Sequence, residues 1–164
     1  MNKNKTFFIS STGTEIGKTY IAVRIIKQLV KMKTDVLALK PILSGFDMND
    51  IYSCDTARLL KANEKEVTLK SIKIHTPWLF TKPVAPILAA KYEDKSLSYE
   101  EVIQWIKVIN NESNKSIKGF TLIEGAGGLM VPIENKKTFL DLVKELNIPV
   151  VLVVGNYLGT VSHT

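Results

Sequence analysis

Phe7-Phe8-Ile9-Ser10-Ser11-Thr12-Gly13-Thr14-Glu15-Ile16-Gly17-Lys18-Thr19-Tyr20 decides the reading of this chain. An apolar run (Phe7, Phe8, Ile9) leads into small and hydroxylated residues (Ser10 to Thr14), which deliver Gly17-Lys18-Thr19 to the start of a helical pattern. Strand, loop and helix in that order are the layout of a phosphate-binding loop. Successive backbone N–H groups and the helix N-terminus cradle a phosphate, the lysine reaches the terminal phosphates, and the last hydroxyl ligates magnesium. Gly17, Lys18 and Thr19 take these roles. Where the general pattern has its first glycine, five residues before Gly17, this chain has Thr12, flanked by Ser11 and Gly13. A bare Gly-Lys-Thr also begins ordinary helices; the preceding strand and the following amphipathic helix favour the nucleotide reading.

Working outward, 164 residues at 45% hydrophobic content can bury one sizeable core, which predicts a single domain over residues 1–164. No apolar run approaches the roughly 18 to 20 residues that cross a bilayer, and Met1 to Lys5 lead straight into a strand rather than into a signal-peptide core. The expectation is a cytoplasmic protein without a membrane partner. Cys54 is the only cysteine, so neither an intrachain disulfide nor a cysteine zinc cluster can form, and it reads as a small, partly buried thiol. His75 and His163 offer no metal pair and read as surface or loop residues. The net charge of +6 suits anionic ligands, a nucleoside triphosphate or a nucleic acid alike. The basic residues are scattered among acids, however, and Arg24, Lys27, Lys31 and Lys33 read as the solvated side of the first helix, so no nucleic-acid partner is expected.

Short β-rich runs alternate with helical patterns, the signature of βαβ units and a mainly parallel sheet. Strands are expected near Thr6 to Ser10, Asp35 to Lys40, Phe120 to Glu124 and Pro149 to Val154. Three of them are nearly continuous apolar runs, as in strands covered on both faces. Helices are expected from Lys18 to Lys33 with Ile21, Ile25, Ile26 and Leu29 on one face, from Cys54 to Lys61, from Tyr99 to about Asn110, and from Thr138, as cap, to Leu146. Ser98 and Glu101 form a candidate capping box, and Pro83 and Pro86 bound an irregular loop that enters a further helix through Ala90.

The polar and glycine-rich clusters each follow the carboxyl end of a strand, the edge that holds ligands in open α/β sheets. They are Ser10 to Thr19; Lys40-Pro41-Ile42-Leu43-Ser44-Gly45 with Asp55 shortly after; Glu124-Gly125-Ala126-Gly127-Gly128; and Gly155 to Thr160. Lys40 and Glu124, charged residues at the ends of apolar strands, are costly there without a partner or ligand. The alternatives are a snorkelling lysine, a tight exit turn at Glu124, and an Asp55 that only caps its helix. A phosphoryl-transfer site needs a cation clamp and a divalent metal with hard oxygen ligands. Thr19, Asp55 and Glu124 supply such oxygens, and Lys18 and Lys40 would neutralise charge on the transferred group and its acceptor.

Taken together, these residues resemble the ATP-dependent dethiobiotin synthetases over the whole chain. The carriers are Thr14, Glu15, Gly17, Lys18 and Thr19; Lys40-Pro41 with Ser44-Gly45; Asp55; Glu124 to Gly128; and the late valine strand running into a Leu-Gly turn, Val150 to Gly159. The resemblance implies a three-layer α/β fold of the P-loop NTPase kind, a magnesium cofactor, and a reaction of 7,8-diaminononanoate, CO2 and ATP that yields dethiobiotin, ADP and phosphate. It implies an ATP site of Glu15, Ile16, Gly17, Lys18, Thr19, Tyr20, Asp55, Glu124, Gly125, Ala126 and Gly127, with Thr19, Asp55 and Glu124 as metal ligands. Lys40 and Lys18 would be catalytic. Ser44 would contact substrate, as would Gly159, Thr160, Val161 and Ser162, whose amides suit the distant substrate carboxylate; because family members bind it from a neighbouring subunit, a homodimer is implied.

The chain departs from the family at Ser11, where a loop glycine is usual, at Gly13, commonly polar, and at Val84 and Ala85, hydroxylated in some members. The family also continues beyond the point matching Thr164 with more sheet and an adenine-recognising segment, so the expected fold lacks its C-terminal part. Three other readings compete: a switch or partitioning ATPase on the same loop, a cobyrinate-type amidoligase, and a catalytically incomplete ATP-binding homologue. The first usually carries an additional lysine early in the loop, and positions 10 to 16 hold none. The second needs a longer chain with a glutamine-handling domain.

Overall fold

The computed structural model describes residues 5–116 and 118–164; the expectations for Met1 to Asn4 and for the His163 side chain lie outside what is described. A four-stranded sheet forms the middle layer. Its strands are β1 (Lys5–Ser11), β2 (Val36–Leu39), β5 (Phe120–Glu124) and β8 (Val150–Val153), in the order β2-β5-β1-β8, and every pair is parallel. The other strands pair apart from it: β3 (Ile42–Leu43) runs parallel to β4 (Trp78–Leu79), and β6 (Pro132–Glu134) is antiparallel to β7 (Lys137–Thr138). Between them lie α1 (Lys18–Lys31), α2 (Asp55–Ala62), α3 (Leu69–His75), α4 (Pro86–Tyr92), α5 (Tyr99–Ser116), α6 (Phe139–Leu146) and α7 (Thr160–His163).

The alternation of side chains along each strand divides the core into two layers. On β1, Phe8 joins the cluster formed with Ala89 and Ala90 of α4, Val102, Ile103 and Ile106 of α5, and Phe139, Leu142 and Val143 of α6. The next residue, Ile9, faces the opposite side, with Ala22 and Ile26 of α1 and Leu59 and Ala62 of α2. Leu122 and Ile123 divide in the same way. The result is the expected three-layer α/β arrangement with a parallel sheet covered on both faces. A third cluster, Leu43, Phe46, Cys54, Ala57, Leu60, Val67 and Ile72, fastens α2 and α3 beside the β3 strand.

The four expected strands form within a residue or two of their anticipated ends, and Thr138 caps α6 in a capping box with Asp141. Differences have local causes. The first helix stops at Lys31, because Lys33 takes a positive φ of 55°. Its deepest residues are Ala22 and Ile26, while Arg24, Lys27, Lys31 and Lys33 are exposed. At α5 the Glu101 amide donates to Ser98 Oγ at 3.4 Å, one bond of the expected box, and the adjacent Tyr99 amide donates to Glu134 Oε2 at 2.9 Å. That helix runs to Ser116 rather than Asn110. Strand β8 pairs with β1 alone among the described residues, and Val151 remains 36% exposed.

Candidate active site

Strand register brings the charged residues together. Ile9 lies opposite Glu124 in the β1–β5 pair, and Leu39 lies opposite Ile123 in the β2–β5 pair, so Lys40, one residue past β2, reaches the level of Glu124. Lys40 Nζ donates to Glu124 Oε1 at 2.8 Å and to the Gly125 carbonyl at 3.3 Å, and lies 3.1 Å from Asp55 Oδ2. The side chains of Lys40 and Glu124 are 4% and 0% exposed, so this lysine does not snorkel to solvent. Thr19 Oγ1, in the first turn of α1, donates to Glu124 Oε1 at 2.7 Å. Lys18, buried on the same face of α1 as Ala22 and Ile26, places Nζ 3.3 Å from Ser11 Oγ.

Burial alone would lower the pKa of Lys40, but the charges of Glu124 and Asp55 outweigh it and hold the ammonium above its ordinary value. Lys18 shows the opposite balance: burial and then the positive charge of Lys40 lower its pKa against the pull of Glu124 and Asp55. Burial would raise the Asp55 pKa, and the neighbouring Lys40 charge, with hydrogen bonds from Lys40 and Thr19, brings it below the usual range. Lys40, Asp55 and Glu124 thus form one cluster in which a single lysine contacts two carboxyl groups.

Asp55 is free to join this cluster because it does not cap its own helix. Cys54 does so, its Sγ accepting from the Ala57 amide at 3.4 Å. Sequence reasoning had assigned no task to Cys54; its place just before the Asp-Thr-Ala start of a helix was the available signal. Ser11 was noted only as a departure, yet it contacts Lys18 and donates to the Gly13 carbonyl.

The phosphate loop and the glycine turn close on each other. Leu129 N–H donates to Ser11 O at 3.2 Å, and a Cβ on Gly128 would come within 3.1 Å of that same oxygen. Gly125 sits against Phe8, where a Cβ would lie 2.8 Å from the ring, and Gly127 has φ +73°. Ala126 is half-buried beside them. Gly17 starts α1 with φ 101° and no side chain caps that helix, so its first amides are left for a ligand. Glu15 is exposed at φ 58°, and Ile16 packs over Gly13. Tyr20 turns its side chain to solvent, where its hydroxyl accepts from Arg24, so only its backbone belongs to the loop.

Four buried oxygens have no partner among the described residues: Ser10 Oγ, Thr12 Oγ1, Ser44 Oγ and Glu124 Oε2. Ser44 and Glu124 were both expected to meet ligands. Among the described residues no group of three or more His, Cys, Asp or Glu is placed to hold a metal by itself. Two carboxylates and a hydroxyl are nonetheless a fitting set for magnesium, which takes hard oxygens, keeps several waters and shares phosphate oxygens, and the free Glu124 Oε2 is a ready ligand. Among the described residues, the bonds of the Lys40, Asp55 and Glu124 cluster do not include the segment Gly159 to Ser162. Ser162 donates to Gly159 O at 2.8 Å through its hydroxyl, and Val161 is exposed.

The chain matches the AAA domain family over residues 5–164. It is 40% identical over 161 residues to the ATP-dependent dethiobiotin synthetase of Methylobacterium nodulans, covering 96% of this chain and 71% of that protein. The chain belongs to the ATP-dependent dethiobiotin synthetase family. The synthetases of Caulobacter vibrioides, at 36% identity over 163 residues, and Legionella pneumophila, at 37% over 160, match 97% and 98% of this chain and 70% of their own lengths. The family's use of ATP agrees with the uncapped loop at Gly17. No helix among the described residues is long and apolar enough to cross a membrane.

Proposed function

We propose that residues 1–164 act as one ATP-binding synthetase domain that closes a ureido ring, converting 7,8-diaminononanoate, CO2 and ATP into dethiobiotin, ADP and phosphate in the cytoplasm. The observation that carries this reading is the position of Lys40: a buried lysine outside the phosphate loop, hydrogen-bonded to Glu124 across the sheet edge from Lys18. A switch ATPase needs cations for the nucleotide; a synthetase needs another for the acceptor.

One amine of the diamine adds to CO2 and gives a carbamate. A carbamate oxygen then attacks the γ-phosphorus, the bond to the β-phosphate oxygen breaks, and ADP leaves. The second amine attacks the carbonyl carbon of this mixed anhydride and expels phosphate, closing the ring with loss of the amine protons. Lys18 holds the terminal phosphates, with the amides of Glu15 to Tyr20 and the Gly125 to Gly127 turn around them. Lys40 faces the carbamate, and Ser44, its hydroxyl buried and unpartnered, binds the substrate. Thr19, Asp55 and Glu124 would hold magnesium, which when bound offsets phosphate charge. Gly159, Thr160, Val161 and Ser162 serve the substrate carboxylate of a neighbouring subunit, making the working unit a homodimer.

Incubation of the purified chain with diamine, bicarbonate, ATP and magnesium should yield dethiobiotin, detected by mass spectrometry, with phosphate release that depends on the diamine. Phosphate release at the same rate without diamine, and no product, would assign the chain to the switch ATPases instead.

A further inference from the structure

Glu93 carries a nearly enclosed carboxylate that belongs neither to the site nor to a helix start. It ends α4, where its own amide donates back to the carbonyls of Ala89, Ala90 and Lys91. Its side chain, 11% exposed, turns to the loop that follows β4. Oε1 accepts from the Thr81 amide at 2.6 Å, the Thr81 hydroxyl at 3.0 Å and the Lys82 amide at 3.0 Å. Oε2 accepts from Lys95 Nζ at 2.7 Å, and Lys95 also donates to Leu79 O at 3.0 Å. Burial opposes the charge, but the bonds from Lys95, Lys82 and Thr81 hold the Glu93 pKa at about 2, so the anchor stays ionised near neutrality.

What this anchor holds is the wall of the Ser44 turn. The Lys82 carbonyl accepts from the Gly45 amide at 3.2 Å, Phe46 N–H donates to Phe80 O at 2.9 Å, and a Cβ on Gly45 would stand 3.3 Å from Pro83 Cβ. Gly45 has φ +77° and follows the buried, unpartnered Ser44 hydroxyl. A continuous set of bonds therefore runs from the end of α4, whose Ala89 and Ala90 are fixed in the core, through Glu93 to Thr81 and Lys82 and on to Gly45. We propose that Glu93 is a positioning residue for acceptor binding: it fixes the Thr81–Lys82 turn, which sets the Ser44–Gly45 turn against the substrate. This rests on the reading of Ser44 as a substrate contact.

Glu93→Ala should raise the KM for the diamine about tenfold, the scale of one lost charge-assisted hydrogen bond. The KM for ATP and the nucleotide Kd should change less than about twofold, and Glu93→Gln, which keeps an acceptor oxygen, should recover part of the loss. Glu93→Ala and Ser44→Ala should be non-additive in diamine KM, as expected of residues acting through one turn. Hydrogen exchange in the full chain reads the same coupling without turnover: the Gly45 and Phe46 amides should exchange faster in Glu93→Ala while those of β1 and β5 do not. Dethiobiotin production by the unaltered chain with an unchanged diamine KM in Glu93→Ala would overturn this role and leave the proposed function standing. Absence of product from the unaltered chain would overturn the proposed function, and the exchange pattern would then decide the anchor. Uniformly faster exchange, or equal losses for diamine and nucleotide, would mark Glu93 as a stabilising residue only.

Discussion

Lys40 balances two carboxylates that a magnesium ion also suits. Glu124 is fully buried, and removing the lysine leaves it without the ammonium that offsets its burial, a loss of about 3 to 5 kcal/mol for a broken buried pair. Lys40→Ala should therefore lower the unfolding midpoint of the unliganded chain. Magnesium with a nucleotide should raise that midpoint by similar amounts in the variant and the parent, because the stabilisation depends only on ligand concentration and Kd. Product formation should remain reduced by about 100-fold, the scale of one lost transition-state donor, with nucleotide Kd changed little. Scanning calorimetry with and without magnesium nucleotide, beside a turnover assay, checks both parts; equal loss of nucleotide affinity would move Lys40 to the nucleotide side. The residues themselves were legible in the sequence because a charge at the end of an apolar strand is costly. Their partners were not, since the pairing of Lys40 with Glu124 spans 84 positions and depends on strand register.

The helix starts divide by purpose. Cys54, Thr68 and Thr138 cap α2, α3 and α6 with side-chain acceptors, and Thr68–Ser71 and Thr138–Asp141 close full capping boxes. Gly17 begins α1 with no such acceptor. Thr138→Ala should cost about 1 kcal/mol of stability and leave nucleotide binding untouched. Gly17→Ala should cost a similar amount, about 1 to 2 kcal/mol, for a side chain in the left-handed region although nothing stands within 4 Å of the added Cβ. It should also weaken nucleotide binding, because the strain is relieved by turning the loop amides away from the phosphates. Denaturant melts paired with nucleotide titration separate the two; a Gly17→Ala chain that binds normally would show that the loop does not need this conformation. The Thr138 cap and the helix behind it were readable because cap and periodicity are local, and α2 was readable from its own pattern, whereas α3, seven residues long behind Thr68, was not anticipated. Strands of two or three residues such as β3 and β4 carry no period, and the partner of Ile42 is Trp78, so neither run could be recognised alone.

At the scale of the molecule, a parallel sheet with its polar clusters gathered at one edge followed from alternating patterns and clusters at strand ends, while the order and register that set the ends of β1, β2 and β5 side by side did not. The exposed stretch after β8 is a different matter: Leu158 and Val161 are almost wholly exposed, and no local signal says what meets them. The proposed homodimer gives them a role, with Gly159 to Ser162 reaching a neighbour's substrate. A chain carrying Lys40→Ala and another with Thr160 and Ser162 both changed to Ala should each make little product alone. If the pocket is shared, a heterodimer of the two has one site with both changes and one site with neither. Equal mixing with free exchange makes half of the dimers mixed, so activity should recover to about a quarter of the parent's per chain. The mixture is assayed after subunit exchange is verified by native mass spectrometry of differently sized tags. Heterodimers present at that level without recovery would show that each chain serves its own substrate, and the exposed segment would then close its own site rather than a neighbour's.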